Sequence, residues 1–397
     1  MVRDEERLAR IRGVLAENKW DALICALPSN VLMLSGYWPV IGSSIAIATR
    51  DGAVSLTVPQ DERKLAEQGW ADDIRTFEGA SLNRLDSVAA NACKSLCAPN
   101  DLFRFGSGDV LGFEGSASFD PSTYASTFIY GPALEHILSA AFPSAACVDA
   151  TPALERLRSV LTTKELTRVR HACGIAQQAF LQIARLIKPD MREFEIATKL
   201  RREMFSDPAD GERSGGFAYC MSGPNSAEAY KAYQRSGSRE IAPGTFVLLH
   251  CNSYCNGFWT DITRTFCAGK PDSRITTIMD AVLEASRAAI AAVRPGVHAS
   301  AVDHAARQVL ADCGLGQYFV HAAGHGVGFA AINHNALPRI HPLSEDILEP
   351  GMVFNIEPAV YIEGYGGMRH CNMIAVSETG SELLTPFQDR SDELRLN

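Results

Sequence analysis

The chain has 397 residues, 46% hydrophobic and 21% charged, the composition of an ordinary soluble globular protein with room for two domains. A formal net charge of -9 and a pI near 5.6, with no basic stripe, exclude a nucleic-acid or anionic-membrane surface. The opening MVRDEERLARIRGVLAENKWDALIC is charged and amphipathic, without a signal-peptide core, and no long apolar run follows, which predicts a cytoplasmic location.

Helical and strand-like segments alternate up to about residue 155. A helix is predicted over 5–18, a strand over 21–26, and a hairpin from 44–49 and 53–58 across Arg50-Asp51-Gly52. This first domain, 1–155, holds one histidine, His136, and no ligand cluster, so it reads as a cap or dimerisation element. The second domain, 156–397, opens with a long amphipathic helix whose Thr162-x-x-Glu165 fits a capping box. A faint internal repeat then recurs at an offset of 106 residues, Lys188-Pro189-Asp190-Met191 matching Arg294-Pro295-Gly296-Val297. Each copy reads helix, Pro turn, helix, strands, which implies a duplicated α/β half. Eight of the ten histidines lie at or after His250, so the chemistry is expected between the repeats.

Residues 244–269, GTFVLLHCNSYCNGFWTDITRTFCAG, read as a second hairpin turning at Asn256-Gly257. Centring the turn there sets Asn252 opposite Asp261 and His250 opposite Thr263, and places His250, Asn252 and Asp261 on one face. His250 follows apolar residues and reads equally as a satisfied core histidine. The eleven cysteines, from Cys25 to Cys371, show no framework spacing and read as buried small hydrophobes. Cys251-x-x-x-Cys255 is a weak half zinc site, because no second pair follows at zinc-finger spacing.

The hairpin resembles the first metal-binding hairpin of the pita-bread hydrolases: creatinase, aminopeptidase P, prolidase and methionine aminopeptidase. HAAGHGVGF (321–329), EPGMVFNIEPAVYI (349–362) and GGMRHCNMI (366–374) extend the resemblance over nearly the whole chain, most strongly from about residue 160. It implies an α/β N-terminal domain, a pita-bread catalytic domain with pseudo-two-fold symmetry, and a homodimer. It also assigns ligand positions to Asp261, His325 and Glu357 and a substrate-contacting position to His321; Tyr230, His334, Asn252 and Arg369 read as pocket residues, and Arg369 reads equally as the structural partner of an acidic neighbour.

The chain departs from the peptidase pattern at four places. His250 and Cys371 stand where peptidases place an Asp and a Glu ligand, and Tyr230 stands where MSGPNSAEAY would end in a catalytic His. Strict spacing puts Ile332 at the second catalytic His position, and a two-residue slip brings in His334. Two adjacent divalent ions would be short of anionic charge, whereas one Zn²⁺ or Mn²⁺-like ion on His250, Asp261, His325, Glu357 and Cys371, or none, is reasonable. Creatinase, in this fold, works without metal, with a His as acid/base and carboxylates that grip a guanidino group; that His aligns with Tyr230. Proton transfer would then fall to His321, His325 or His250. The expected function is hydrolysis of a carbon-nitrogen bond in a small amino-acid-like substrate. The alternatives are an Xaa-Pro dipeptidase or aminopeptidase with a remodelled site, acting on a dipeptide-sized substrate, and a non-catalytic binding relative.

Overall fold

In the computed structural model, which describes residues 2–396 apart from 41, 80–82, 84–86, 99–101, 117–128, 130, 206–211, 232–234 and 332, the chain divides into Met1–Arg158 and Ser159–Asn397. The first unit carries helices α1 (Glu5–Asn18), α2 (Pro28–Ser35), α3 (Arg63–Ala66), α4 (Val88–Cys97), α5 (Pro132–Ala141) and α6 (Thr151–Ser159). Its strands are β1 (Ala22–Cys25), β2 (Ile45–Thr49), β3 (Val54–Pro59), β4 (Asp73–Phe77), β5 (Val110–Phe113) and β6 (Ala146–Asp149), in the sheet order β4-β3-β2-β1-β5-β6. The predicted helix, strand and hairpin are present as α1, β1 and β2–β3. Every residue of β1 is buried, which is why ALIC reads as a continuous apolar run and not as an alternation.

The second unit repeats a helix pair. Helices α7 (Thr163–Leu186) and α8 (Glu193–Glu203) precede the first strands, and α9 (Ser273–Ala292) and α10 (Ala299–Asp312) precede the second set. The capping box forms: Glu165 N donates to Thr162 Oγ1 at 3.2 Å, and Thr162 N donates to the Glu165 carboxylate at 2.9 Å. Both interhelix turns pass through the left-handed region, at Asp190 (φ 69) and Gly296 (φ 81), the same step in each copy. The isolated bridges Arg192↔Glu240 and His298↔Ile347 follow them at nearly the same offset.

Strands β7 (Ser214–Ser222), β8 (Phe246–Cys255), β10 (Ile262–Ala268) and β16 (Arg395–Leu396) form one sheet, ordered β16-β10-β8-β7, with the two-residue β9 (Phe258–Trp259) on β8. Strands β11 (Val353–Ile356), β14 (Asn372–Val376) and β15 (Ser381–Leu383) form a second, and β12 (Ala359–Ile362) pairs with β13 (Gly366–Arg369). The β8–β10 hairpin turns through Asn256 (φ 49) and Gly257 (φ 85), the positive pair that a tight turn requires. His250 pairs with Thr263 as the turn centring predicts, and Asp261 falls in the gap between β9 and β10. Among the described residues no helix is long and apolar enough to cross a membrane.

Candidate active site

The hairpin supplies one wall. His250 and Asn252 alternate along β8 on one face, and the register brings Thr263 and Asp261 across from them. His250 is buried with both ring nitrogens engaged, Nδ1 at 2.8 Å from Thr263 Oγ1 and Nε2 at 3.1 Å from Asn252 Oδ1. Asp261 Oδ1 lies 3.8 Å from Nδ1. Tyr219, opposite His250 on β7, stacks on the imidazole at 5.5 Å with the planes 2° apart. Burial, reinforced by Arg369, pushes the His250 pKa down to about 4, so the ring is neutral near pH 7.

The facing wall comes from the histidine motif and β11. Gly324 and Gly326 are there for close approach: a Cβ on Gly324 would lie 1.9 Å from the Asn355 carbonyl oxygen, and one on Gly326 would lie 2.1 Å from that of Leu337. His325, clamped between them, donates from Nδ1 to Gly326 O at 3.1 Å. That leaves the Nε2 lone pair 3.6 Å from Asp261 Oδ2 and 3.4 Å from the Asn355 side-chain amide, whose Oδ1 accepts from the His325 backbone at 2.7 Å. Glu357 follows β11 and is buried. His321 donates from Nδ1 to Ala322 O at 2.7 Å and meets the Tyr361 hydroxyl through Nε2 at 3.3 Å. Burial lowers its pKa against the pull of Glu357.

A resident cation lies between the walls. Arg369 is buried, donating from Nε to Thr263 Oγ1 at 3.0 Å and lying 3.8 Å from Glu357 Oε2. Burial alone would raise the Glu357 pKa, but Arg369, His321 and His325 outweigh it and the net direction is downward. Cys371 is wholly buried, and its thiol donates to the Asp261 backbone carbonyl at 3.1 Å, with Oδ1 at 3.5 Å. Burial first, then the Asp261 and Glu357 charges, hold its pKa far above the ordinary thiol value, so it stays protonated.

Residues 167–378 match the model of metallopeptidase family M24, and residues 7–160 match the creatinase/prolidase N-terminal domain. The chain belongs to metallopeptidase family M24. It is similar to the Xaa-Pro dipeptidase of Pyrococcus furiosus, 28% identical over 96% of this chain and 98% of that one. It is also similar to the probable dipeptidase PepE of Mycobacterium tuberculosis, 34% identical over 59% of this chain and 60% of that one. Among solved structures, the prolidase of Pyrococcus horikoshii OT3 superposes with a TM-score of 0.76 at 26% identity, covering 97% of this chain and 99% of that one. Like its M24 relatives the chain is a hydrolase with the pita-bread fold.

Peptidases of family M24 typically hold a metal pair, and the residues present here do not fit one. Two ions about 3.5–4 Å apart need bridging carboxylates. The described residues offer Asp261 and Glu357 against the Arg369 guanidinium, and the thiol of Cys371 is neutral. One ion fits better: ligand atoms of Asp261, Glu357 and Cys371 lie within 4.8 Å of one another, with His325 Nε2 beside Asp261. When bound it would act as a Lewis acid on a substrate oxygen. Outside this site, His171, Glu212 and Cys255 also lie within 4.8 Å of one another, with His171 and Glu212 ion-paired at 2.9 Å. Cys255 therefore finds metal-capable neighbours, although Cys251 is not one of them.

The structure gathers His250, Asn252, Asp261, His325, Glu357, Arg369 and Cys371 into one contact network. His321 joins through Tyr361. His334 is exposed and meets the His325 ring edge-on at 5.1 Å; Ile332 lies outside the described residues. Tyr230 is 41% exposed and packs on Tyr361 at 5.0 Å, with the Lys231 ammonium over its ring, so it sits at the rim. Sequence reasoning missed Thr263, Tyr361, Asn355 and Tyr219. A lone amide inside the apolar VFNI strand was the available signal for Asn355, and the cross-strand position of His250 was the one for Thr263.

Proposed function

We propose that this M24 hydrolase cleaves a carbon-nitrogen bond in a small, amino-acid-like substrate that carries a cationic nitrogen, with one metal ion or none. The buried Asp261 and Glu357 pair, lacking the charge and ligands for two ions, is the observation that carries this reading. Two carboxylates balanced by one guanidinium leave one net negative charge in a water-poor site, and a substrate ammonium or guanidinium is its natural counterpart. His325 is the proton carrier: with Nδ1–H committed to Gly326 O, its Nε2 lone pair gives up the long 3.4 Å contact with the Asn355 amide and takes a proton from attacking water. The same nitrogen then returns the proton to the departing amine as the carbon-nitrogen bond breaks.

A second reading, an Xaa-Pro dipeptidase with a remodelled metal site, is favoured by the 28% identical relative that spans nearly the full chain. Turnover assays with Xaa-Pro dipeptides and with guanidino acids, before and after chelation, separate the two. Hydrolysis of a guanidino acid that survives chelation is the expected result. Dipeptide hydrolysis that needs two equivalents of metal would establish the second reading, and folded protein inert to both classes would overturn the first.

A further inference from the structure

The hydrogen bonds of the hairpin wall run in one direction. The Arg369 Nε–H can only donate, so Thr263 Oγ1 accepts from it at 3.0 Å. Having accepted, the Thr263 hydroxyl gives its own proton to His250 Nδ1 at 2.8 Å. The imidazole, neutral and unprotonated at Nδ1, carries its proton on Nε2 and donates it to Asn252 Oδ1 at 3.1 Å. The chain ends at Asn252 Nδ2, whose hydrogens have no partner among the described residues although Asn252 is 0% exposed. Leaving a buried donor unmet costs about 1–3 kcal/mol.

We infer that Asn252 Nδ2 is a subsite for a substrate oxygen, a carbonyl or carboxylate lying one or two bonds from the cationic nitrogen held by Asp261 and Glu357. The β8–β10 register, which pairs Ile262 with Cys251, sets Asn252 across from Asp261 when continued by one residue, on the face that carries His250. A substrate with an ammonium next to a carbonyl satisfies both at once. The chain of donors that starts at Arg369 polarises the Asn252 amide, so the N–H groups strengthen as negative charge builds on the oxygen. His250, in the position of a peptidase ligand, thus serves as a positioning residue that orients Asn252.

This inference rests on the reading of Asp261 and Glu357 as a cation site, and three small probes keep the two apart. Glycinamide offers an ammonium with a carbonyl, ethylamine the ammonium alone, and acetamide the carbonyl alone; each is titrated into the full chain by NMR. Wild type is expected to prefer glycinamide over ethylamine, and Asn252→Asp and Asn252→Leu should each cut that ratio by about tenfold, the equivalent of one lost hydrogen bond of about 1.4 kcal/mol. A ratio is used because Asn252→Asp adds charge that tightens both amines alike. Nitrogen-15 shifts should show His250 protonated at Nε2; the Nδ1 tautomer would overturn the polarity of the chain. An unchanged ratio in folded variants overturns the subsite. Acetamide binding without ethylamine binding sinks the cation reading and leaves Asn252 standing, while failure of all three probes overturns both.

Discussion

The two walls of the site differ in how much of their chemistry is already spent. On the hairpin wall both His250 nitrogens are engaged, Thr263 serves two partners, and the Cys371 thiol is turned onto Asp261. On the facing wall His325 has Nδ1 tied to a backbone carbonyl, while Nε2 makes one long contact, 3.4 Å, with the Asn355 amide and lies 3.6 Å from Asp261 Oδ2. The substituted residues, His250 and Cys371, are therefore internally satisfied, whereas the retained ones keep a base and a carboxylate available. Changing ligands on one side of a metal site need not abolish a site. It can convert that side from metal capture to recognition and leave proton transfer with the other.

The sharpest test of this division is on the facing wall. Glu357→Ala and His325→Ala should each lower the catalytic rate by about a hundredfold or more, the scale of a positioned acid/base group. His136→Ala, in the first unit, should leave the rate unchanged. Steady-state rates, with circular dichroism to confirm folding, decide it; near wild-type rates in both folded variants would place the chemistry elsewhere.

The hairpin wall is tested next by metal content. Wild type should retain fewer than two equivalents of divalent ion in this site, and the double change His250→Asp with Cys371→Glu should raise the number while lowering native activity. Elemental analysis and Mn²⁺ calorimetry measure this, and a His171→Ala, Cys255→Ser background removes any contribution from the second cluster. Identical binding isotherms for wild type and the double variant would break the comparison between the walls.

Acid stability gives a smaller effect. Burial holds both His250 and His370 at about 4, below the ordinary histidine value of about 6.5, and His370 Nε2 lies 2.8 Å from Asp389. The unfolded chain takes up these protons first as pH falls, so stability present above about pH 6.5 is lost toward pH 4, by up to about 1.4 kcal/mol per pH unit for each ring. Urea midpoints measured from pH 7 to 4 should fall with a shallower slope in His370→Asn. An unchanged slope would mean that His370 is not held neutral. The smallest effect is expected at the rim, where Tyr230 is exposed and packs on Tyr361 through its ring, so Tyr230→Phe should keep the rate within about twofold.

Much of the hairpin was legible because one dipeptide sets its register: Asn256-Gly257 determines which residue faces which, and His250 opposite Thr263 follows by counting. The repeat was legible for a similar reason, a Pro turn with a positive φ at the residue after the proline, Asp190 or Gly296. Neither counting nor periodicity can say which nitrogen of His250 is occupied, and that decides between ligand and positioning residue. Tyr361, Asn355 and Tyr219 were hidden because a polar group in an apolar strand carries no pattern beyond its own presence. Their roles depend on partners brought in from other strands. Arg369 was visible as part of a motif, but its place between Glu357 and Thr263 came only with the fold.

Behind the site, Arg264 on β10 is wholly buried. It donates to the carbonyls of Thr263, Cys371, Thr385 and Phe387 and to Asn372 Oδ1, and its guanidinium lies 4.2 Å over the Phe387 ring. Four of those acceptors lie 107 to 123 residues later in the chain. During synthesis this guanidinium emerges long before the carbonyls that neutralise it, and such distant pairing is slow to form. Through Arg264, residues 385–387 are tied to the segment around Cys371 and Asn372. A chain that stopped short of residue 385 would leave this guanidinium with unmet buried donors.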